Sequence, residues 1–300
     1  MPDLSKQSQF LHYSNKRFLA RCISLVENQA GNYQEILTGL QIPPVPVIGI
    51  TGPPGAGKST LINALLKKLT DTGKSVGVIA VDPSSPFNFG SLLGDRIRMG
   101  DFYNHPNVFI RSLASRGSLG GLSLKAFEVV DVMKAAGFDY VIIETVGVGQ
   151  SEVEIAGLAD TVVVALVPES GDEIQVIKAG LMEIADIFVV NKADRPGAEI
   201  YIANLRKMVK HGSDHNWQIP VVQTSALKNE GIDSLIKSIK QHINSGSIQQ
   251  KKLLLMAEKA YRLIQQQRMK DIQKEVLIKE LEIKLAEPSF NIYKYISENF

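Results

Sequence analysis

Hydrophobic and polar positions fall into two regimes along this chain. From about residue 45 to residue 245, short unbroken apolar runs alternate with longer segments in which apolar residues recur every three or four positions. An unbroken run rich in Val and Ile is a strand covered on both faces, and a three-to-four spacing is a helix with one face on the core. The predicted strands are 47–51, 75–81, 108–112, 140–144, 161–166, 187–191 and 221–224. Their alternation with helical segments predicts an α/β domain built on a doubly wound, mostly parallel sheet.

The flanks read differently. Residues 1–44 form a polar, helical N-terminal region that ends at the Pro43-Pro44 break. Residues 246–286 carry no strand signal, many Lys, Glu and Gln, and apolar residues near Leu253, Met256, Leu263, Ile272, Val276 and Leu281. A helix that long beyond the domain cannot bury its apolar positions on the sheet, and a second copy of the chain is the simplest partner. Three regions are expected: an N-terminal helical region at 1–44, a nucleotide-binding domain at 45–245 and a C-terminal helical dimerisation arm at 246–300.

Composition narrows the function. The chain has 300 residues, 44% of them hydrophobic, enough to bury a full core. With 33 Lys and Arg against 31 Asp and Glu, the net charge of +2 gives no strong attraction to nucleic acid or to an anionic membrane. No stretch approaches the roughly 20 apolar residues of a transmembrane helix, and the polar start lacks a signal-peptide core, so a cytoplasmic protein is expected. The single cysteine, Cys22, excludes an internal disulfide and lies among apolar neighbours at helical spacing, as a buried structural thiol would.

The candidate chemistry begins where the first strand ends. Gly52-Pro53-Pro54-Gly55-Ala56-Gly57-Lys58-Ser59 is a complete G-x-x-x-x-G-K-[ST] phosphate loop, and Thr60 opens the helical segment that follows. Strand, loop and helix in that order make a P-loop arrangement. Backbone N–H groups turn inward around a β-phosphate, and the helix N-terminus adds partial positive charge. Lys58 is placed to bridge the β- and γ-phosphates, and the Ser59 hydroxyl to ligate Mg²⁺.

A second motif selects the base. Asn191-Lys192-Ala193-Asp194 follows the apolar strand at 187–191, where open α/β sheets deliver residues to ligands. The Asp194 carboxylate can accept both N1–H and the exocyclic amine of guanine, whereas adenine would leave it unpaired. Asn191 is expected at the purine edge, and the Lys192 stem along the ring face. Ser225-Ala226-Leu227, after the last strand, has the form of a loop whose amides bind the guanine carbonyl. The nucleotide is therefore GTP, with GDP as product.

Between these motifs lie the groups expected to sense the γ-phosphate. Glu144 ends an apolar strand and suits a Mg²⁺ role; the Gly147 amide suits the γ-phosphate. Asp82, at another strand tip, would hold a metal-bound or attacking water. Asp95 sits in a glycine-rich loop that could close on Mg²⁺. The polar runs 111–121 and 168–178 read as switch-like loops. The second holds Glu169, Asp172 and Lys178, the last placed either to reach nucleotide or partner or to stay solvated on a helix. Gln150 lies in a loop that serves either the transition state or the partner.

These motifs, with Val81-Asp-Pro-Ser-Ser-Pro86, Gly90-Ser-Leu-Leu-Gly-Asp-Arg-Ile-Arg-Met99, Glu144-Thr-Val-Gly-Val-Gly-Gln-Ser-Glu152 and Pro168-Glu-Ser-Gly-Asp-Glu173, resemble the MeaB/ArgK family. The resemblance runs over roughly residues 15 to 270. It implies a P-loop GTPase that is a homodimer held partly by its C-terminal arm and chaperones a cobalamin-dependent acyl-CoA mutase of the methylmalonyl-CoA mutase type. GTP hydrolysis would gate cofactor loading and help rescue inactivated mutase. Asp82, Asp95 and Glu144 would belong to the metal and switch network, and the loop at 168–178 would be a switch that responds to the partner. Lys58, Asp82 and Glu144 are the catalytic candidates. The rival readings are a metallochaperone GTPase, which needs a His/Cys-rich tract, and a small-molecule kinase, which the guanine-reading motif opposes.

Overall fold

The computed structural model describes residues 11–82, 99–114, 124–145, 155–168, 180–210, 217–245, 247–286 and 290–300, in two compact units, Met1–Leu255 and Met256–Phe300. The first unit contains a seven-stranded parallel sheet. Its strands are β1 (Val47–Thr51), β2 (Val76–Asp82), β3 (Val108–Ala114), β4 (Tyr140–Thr145), β5 (Thr161–Leu166), β6 (Ile187–Val190) and β7 (Val221–Gln223). All seven predicted runs are strands, with no end moved by more than two residues. Their order in space is β3-β2-β4-β1-β5-β6-β7.

Unbroken apolar runs form these strands because both faces are covered. Along β5, Val162, Val164 and Leu166 enter one core layer, while Val163 and Ala165 enter the other. The first layer is completed by α1 (Lys16–Glu27), α2 (Tyr33–Thr38), α4 (Leu124–Ala135), α5 (Leu181–Ile184) and α6 (Ala198–Lys210); the second by α3 (Lys58–Asp71) and α7 (Ile232–Ile243). Each fully buried Val, Leu or Ile contributes about 1.5–3 kcal/mol of transfer free energy.

Helix α1 belongs to this core. Asn15 caps its first turn by accepting from the Phe18 amide at 3.2 Å, and Leu19, Cys22, Ile23 and Val26 are buried. Burial pushes the Cys22 thiol up to about 11, the behaviour of a structural cysteine. Arg111 on β3 donates to Glu27 at 2.6 Å and to Ser24 at 3.1 Å, fastening α1 to the sheet edge. The polar run expected to be a loop from residue 111 therefore begins inside β3, where Leu113 is buried. Arg111 and Ser112 lie on opposite faces of this edge strand, half-buried, and Arg111 is accommodated by its bonds to α1, so polarity alone misplaced the boundary.

The C-terminal part is all helix. The single long helix expected at 246–286 is divided into α8 (Ser247–Arg268) and α9 (Lys274–Lys284), with Gln273 in an extended conformation between them. Asp271 lies in the break, and its short carboxylate favours local backbone bonding over helix continuation. Within the second unit, Tyr295 of α10 (Ile292–Asn299) is buried against the Phe290 and Phe300 rings and donates its hydroxyl to Glu280.

The strand order sets the site. The chain winds outward from β1 through β2 to β3, returns to β4 beside β1, then winds the other way through β5, β6 and β7. The C-terminal end of β1 thus opens into the crevice where the winding reverses, the usual ligand position in such sheets.

Candidate functional site

The phosphate loop leaves β1 into that crevice and enters α3. Gly57, at φ 81°, forms the N-cap of α3, and a Cβ there would lie 2.5 Å from the Asn191 side-chain nitrogen. Glycine is required both by the left-handed backbone and by this approach of two loops. Lys58 and Ser59 follow as the first, buried residues of the helix. Lys58 Nζ donates to the carbonyls of Gly52 at 2.7 Å and Pro53 at 3.1 Å, folding the ammonium over its own loop.

Ser59 Oγ donates to Glu144 Oε1 at 2.7 Å, joining the start of α3 to the end of β4. One residue on, Thr145 Oγ1 donates to Thr51 Oγ1 at 2.8 Å and closes β4 onto β1 just before the loop. Pro54, Gly55, Thr60, Glu144 and Lys192 share the lining of a cleft of about 450 Å³ with Lys58 and Ser59. Asp82 ends β2 at the same rim of the sheet; its side chain lies outside the described residues. Asp95, Gly147, Gln150, Glu169, Asp172 and Lys178 also lie outside them.

Asn191 joins the base motif to the phosphate loop. Its side chain is only 1% exposed; Nδ2 donates to the Ala56 carbonyl at 3.0 Å, and Oδ1 accepts from the Ala226 amide at 3.1 Å and from Thr224 Oγ1 at 3.2 Å. The side chain expected at the purine edge thus braces three segments at once. Lys192, next in the chain, is in the left-handed region at φ 55°, a conformation that costs a non-glycine residue about 1–2 kcal/mol. That strain turns the chain from β6 toward the cleft.

Asp194 Oδ2 lies 2.9 Å from Lys228 Nζ. This ammonium, and then the Ser225 hydroxyl, hold the Asp194 carboxyl below the usual carboxylate range. Asp194 and Ser225 line a second depression, about 630 Å³, with Arg206, Gln223 and Ser234. The base motif is thus divided between the two recesses, Lys192 in the phosphate cleft and Asp194 in the second, while Asn191 ties the phosphate loop to the base loop. Leu227 is 84% exposed beside them. Sequence reasoning did not single out Thr51, Thr145, Thr224 or Lys228. A hydroxyl at the end of β1 and of β4, another just after β7, and a cation one residue past the base loop were the available signals.

A parallel sheet in this order, a phosphate loop leaving its central strand and an Asn-Lys-Ala-Asp motif two strands away define a P-loop GTPase. Known proteins agree. The sequence profile of the methylmalonyl Co-A mutase-associated GTPase MeaB matches residues 19–281. A Pyrococcus abyssi (strain GE5 / Orsay) protein named as a GTPase is 51% identical over 236 residues, 76% of this chain and 72% of that protein. GTPase ArgK of Escherichia coli (strain K12) is 40% identical over 248 residues, 79% of this chain and 75% of that protein. The crystal structure of an LAO/AO transport system kinase superposes with a TM-score of 0.68 at 28% identity, covering 98% of this chain and 95% of that one. The chain belongs to the MeaB family of GTPases.

Proposed function

We propose that this GTPase hydrolyses GTP to GDP and phosphate in the cleft between the phosphate loop and β4, and that it serves as chaperone of a cobalamin-dependent acyl-CoA mutase of the methylmalonyl-CoA mutase type. The 2.7 Å contact between Ser59 Oγ and Glu144 Oε1 carries the catalytic half of this reading. A hydroxyl and a carboxylate held together at a helix N-terminus, beside the Lys58 ammonium, suit a triphosphate and its divalent cation.

The donor set fits Mg²⁺. Ser59 and Glu144 offer oxygen alone, the ligand a hard cation prefers, and the site has room for phosphate oxygens and water to complete the shell. Ser59 would hold the ion directly, with Glu144 and the acids at 82 and 95 around it; the ion would neutralise charge developing on the phosphates. Lys58 would exchange the Gly52 and Pro53 carbonyls for the β- and γ-phosphates, gaining charge-assisted bonds in place of neutral ones. The loop amides and the α3 N-terminus would stabilise the charge that spreads over the equatorial oxygens as water attacks the γ-phosphorus. Asp82 would orient that water. On the base side, Asp194 would read guanine, Lys192 would flank the ring, and Asn191 would act through the loops it braces.

The family description, with its mutase association, supports the chaperone half. Loading, protection or reactivation of the mutase would be gated by the segments containing Gly147, Gln150, Glu169, Asp172 and Lys178. A homodimer is supported by the C-terminal helices, where Leu253, Leu254, Tyr261, Ile283 and Tyr293 are exposed apolar or aromatic side chains that need cover. No described helix is long and apolar enough to cross a membrane, which suits a cytoplasmic role.

Two measurements test the proposal. Calorimetry is expected to give much tighter binding of GTP than of ATP, and equal affinities would overturn the base reading. Chain loaded with a non-hydrolysable GTP analogue is expected to retain purified methylmalonyl-CoA mutase, and chain supplied with GTP instead is expected to hydrolyse it faster when the mutase is present. Absence of both effects would overturn the chaperone role while leaving the GTPase intact.

A further inference from the structure

Lys228 comes one residue after the base loop, and its position is imposed by the backbone. Ala226–Lys228 is one turn of 3₁₀ helix, Asn229 after it is left-handed at φ 57°, and Ser225 and Glu230 exchange two backbone hydrogen bonds of 3.1 Å. Gly231 completes the closure at φ 76°, where a Cβ would meet the Gln223 carbonyl oxygen at 2.0 Å. A turn shut this tightly holds the root of Lys228 still. The Ala193 amide bonds the Thr224 carbonyl at 3.0 Å, keeping the Asp194 backbone in register with the same turn.

From that root, Nζ reaches Asp194 Oδ2 at 2.9 Å. The side chains are 55% and 32% exposed, so the pair adds little to folding stability, and its consequence falls on the carboxylate. A carboxylate accepts at about four lone-pair positions. The ammonium occupies one of them on Oδ2 and the Ser225 hydroxyl another, which leaves the rest for a guanine edge.

We propose that Lys228 is a specificity-determining residue: it lends Asp194 a substitute donor and so sets how strictly the site demands the exocyclic amine of the base. The inference rests on Asp194 being the base-reading acceptor. Guanine brings two donors, N1–H and the amine; hypoxanthine brings N1–H alone. Once a purine excludes water from the motif, a carboxylate oxygen without a donor carries the cost of an unpaired charged acceptor. A site built to receive a donor rejects the analogue lacking it for this reason. Lys228 lowers that cost, because its flexible stem lets the ammonium stay on Oδ2 when the amine is missing and yield when it is present. The site then discriminates against inosine nucleotides less steeply than its carboxylate alone would.

Titration of GDP and IDP into the full chain and into Lys228→Met and Lys228→Arg variants tests this. Methionine keeps much of the stem and removes the donor; the ratio of IDP to GDP dissociation constants is expected to widen roughly tenfold. Arginine restores a donor and is expected to return the ratio to within about twofold of the parent. A ratio unchanged in the Met variant, with parental preference for GDP over both IDP and ADP intact, overturns the role of Lys228 alone. A parent chain that binds GDP, IDP and ADP alike overturns the reading of Asp194 itself. Should the Met variant fail to fold, Lys228→Ala takes its place: a widened ratio supports the role of Lys228, and an unchanged one overturns it.

Discussion

Replacing Asn191 by Ala tests the joint between the two halves of the nucleotide site. The change removes the bonds from Nδ2 to the Ala56 carbonyl at 3.0 Å and to Oδ1 from the Ala226 amide at 3.1 Å and Thr224 at 3.2 Å, leaving buried partners behind. At about 1 kcal/mol of net stability per hydrogen bond, the loss is about 3 kcal/mol, and more where a partner finds no water. At about 2–4 °C per kcal/mol for a domain of this size, the nucleotide-free chain is expected to melt roughly 6–12 °C lower. Asn191→Asp is expected to be worse, because it sets a buried charge and an acceptor against the Ala56 carbonyl. The assay is thermal unfolding by circular dichroism without nucleotide, paired with GDP titration well below both transitions. GDP affinity is expected to fall as well, since the braced loops carry both phosphate and base contacts. A residue that only touched the base would leave the empty protein unchanged. A melting point within about 1 °C of the parent therefore refutes the brace.

Lys58→Ala is expected to abolish tight nucleotide binding, because the ammonium now on Gly52 and Pro53 is the cation of the phosphate loop itself; unchanged GTP affinity by calorimetry would remove the phosphate-loop assignment. Asp194→Asn is expected to shift preference from GTP toward XTP, since the amide supplies the donor that the xanthine carbonyl needs; an unaltered GTP to XTP ratio would displace the base site. Removing residues 246–300 is expected to give a monomer that still binds GTP, as the named nucleotide residues all precede the cut; light scattering that finds the full chain monomeric, or the truncated chain dimeric, would contradict the arm's role. Cys22 is expected to resist a thiol reagent at about pH 8 in the folded chain. Its folded pKa is raised from 9.0 to about 11, so the stability it contributes is whole below 9.0 and is lost as pH rises toward about 11.

The strands were legible because a segment such as Val162 to Leu166 is apolar at every position, and only burial on both faces accommodates that pattern. The phosphate loop and the Asn-Lys-Ala-Asp motif were legible because each is a contiguous run whose chemistry is local. The edge of the run at 111 was misplaced because Arg111 finds its partner in Glu27, 84 residues earlier, and no local pattern announces that pair.

What the sequence by itself determined is the order of strands and helices and the identity of the two ligand motifs, both of which follow from periodicity and from groups adjacent in the chain. Tertiary structure alone decided which strands are neighbours, and with them the contacts of the site. Parallel pairing of β1 with β4 and, through β5, with β6 brings Glu144 to Ser59 across 85 positions, and Asn191 to Ala56 across 135. Such contacts form only when the sheet closes, because the apolar burial that orders the strands, and not any affinity between the polar side chains, offsets the entropy of bringing distant segments together.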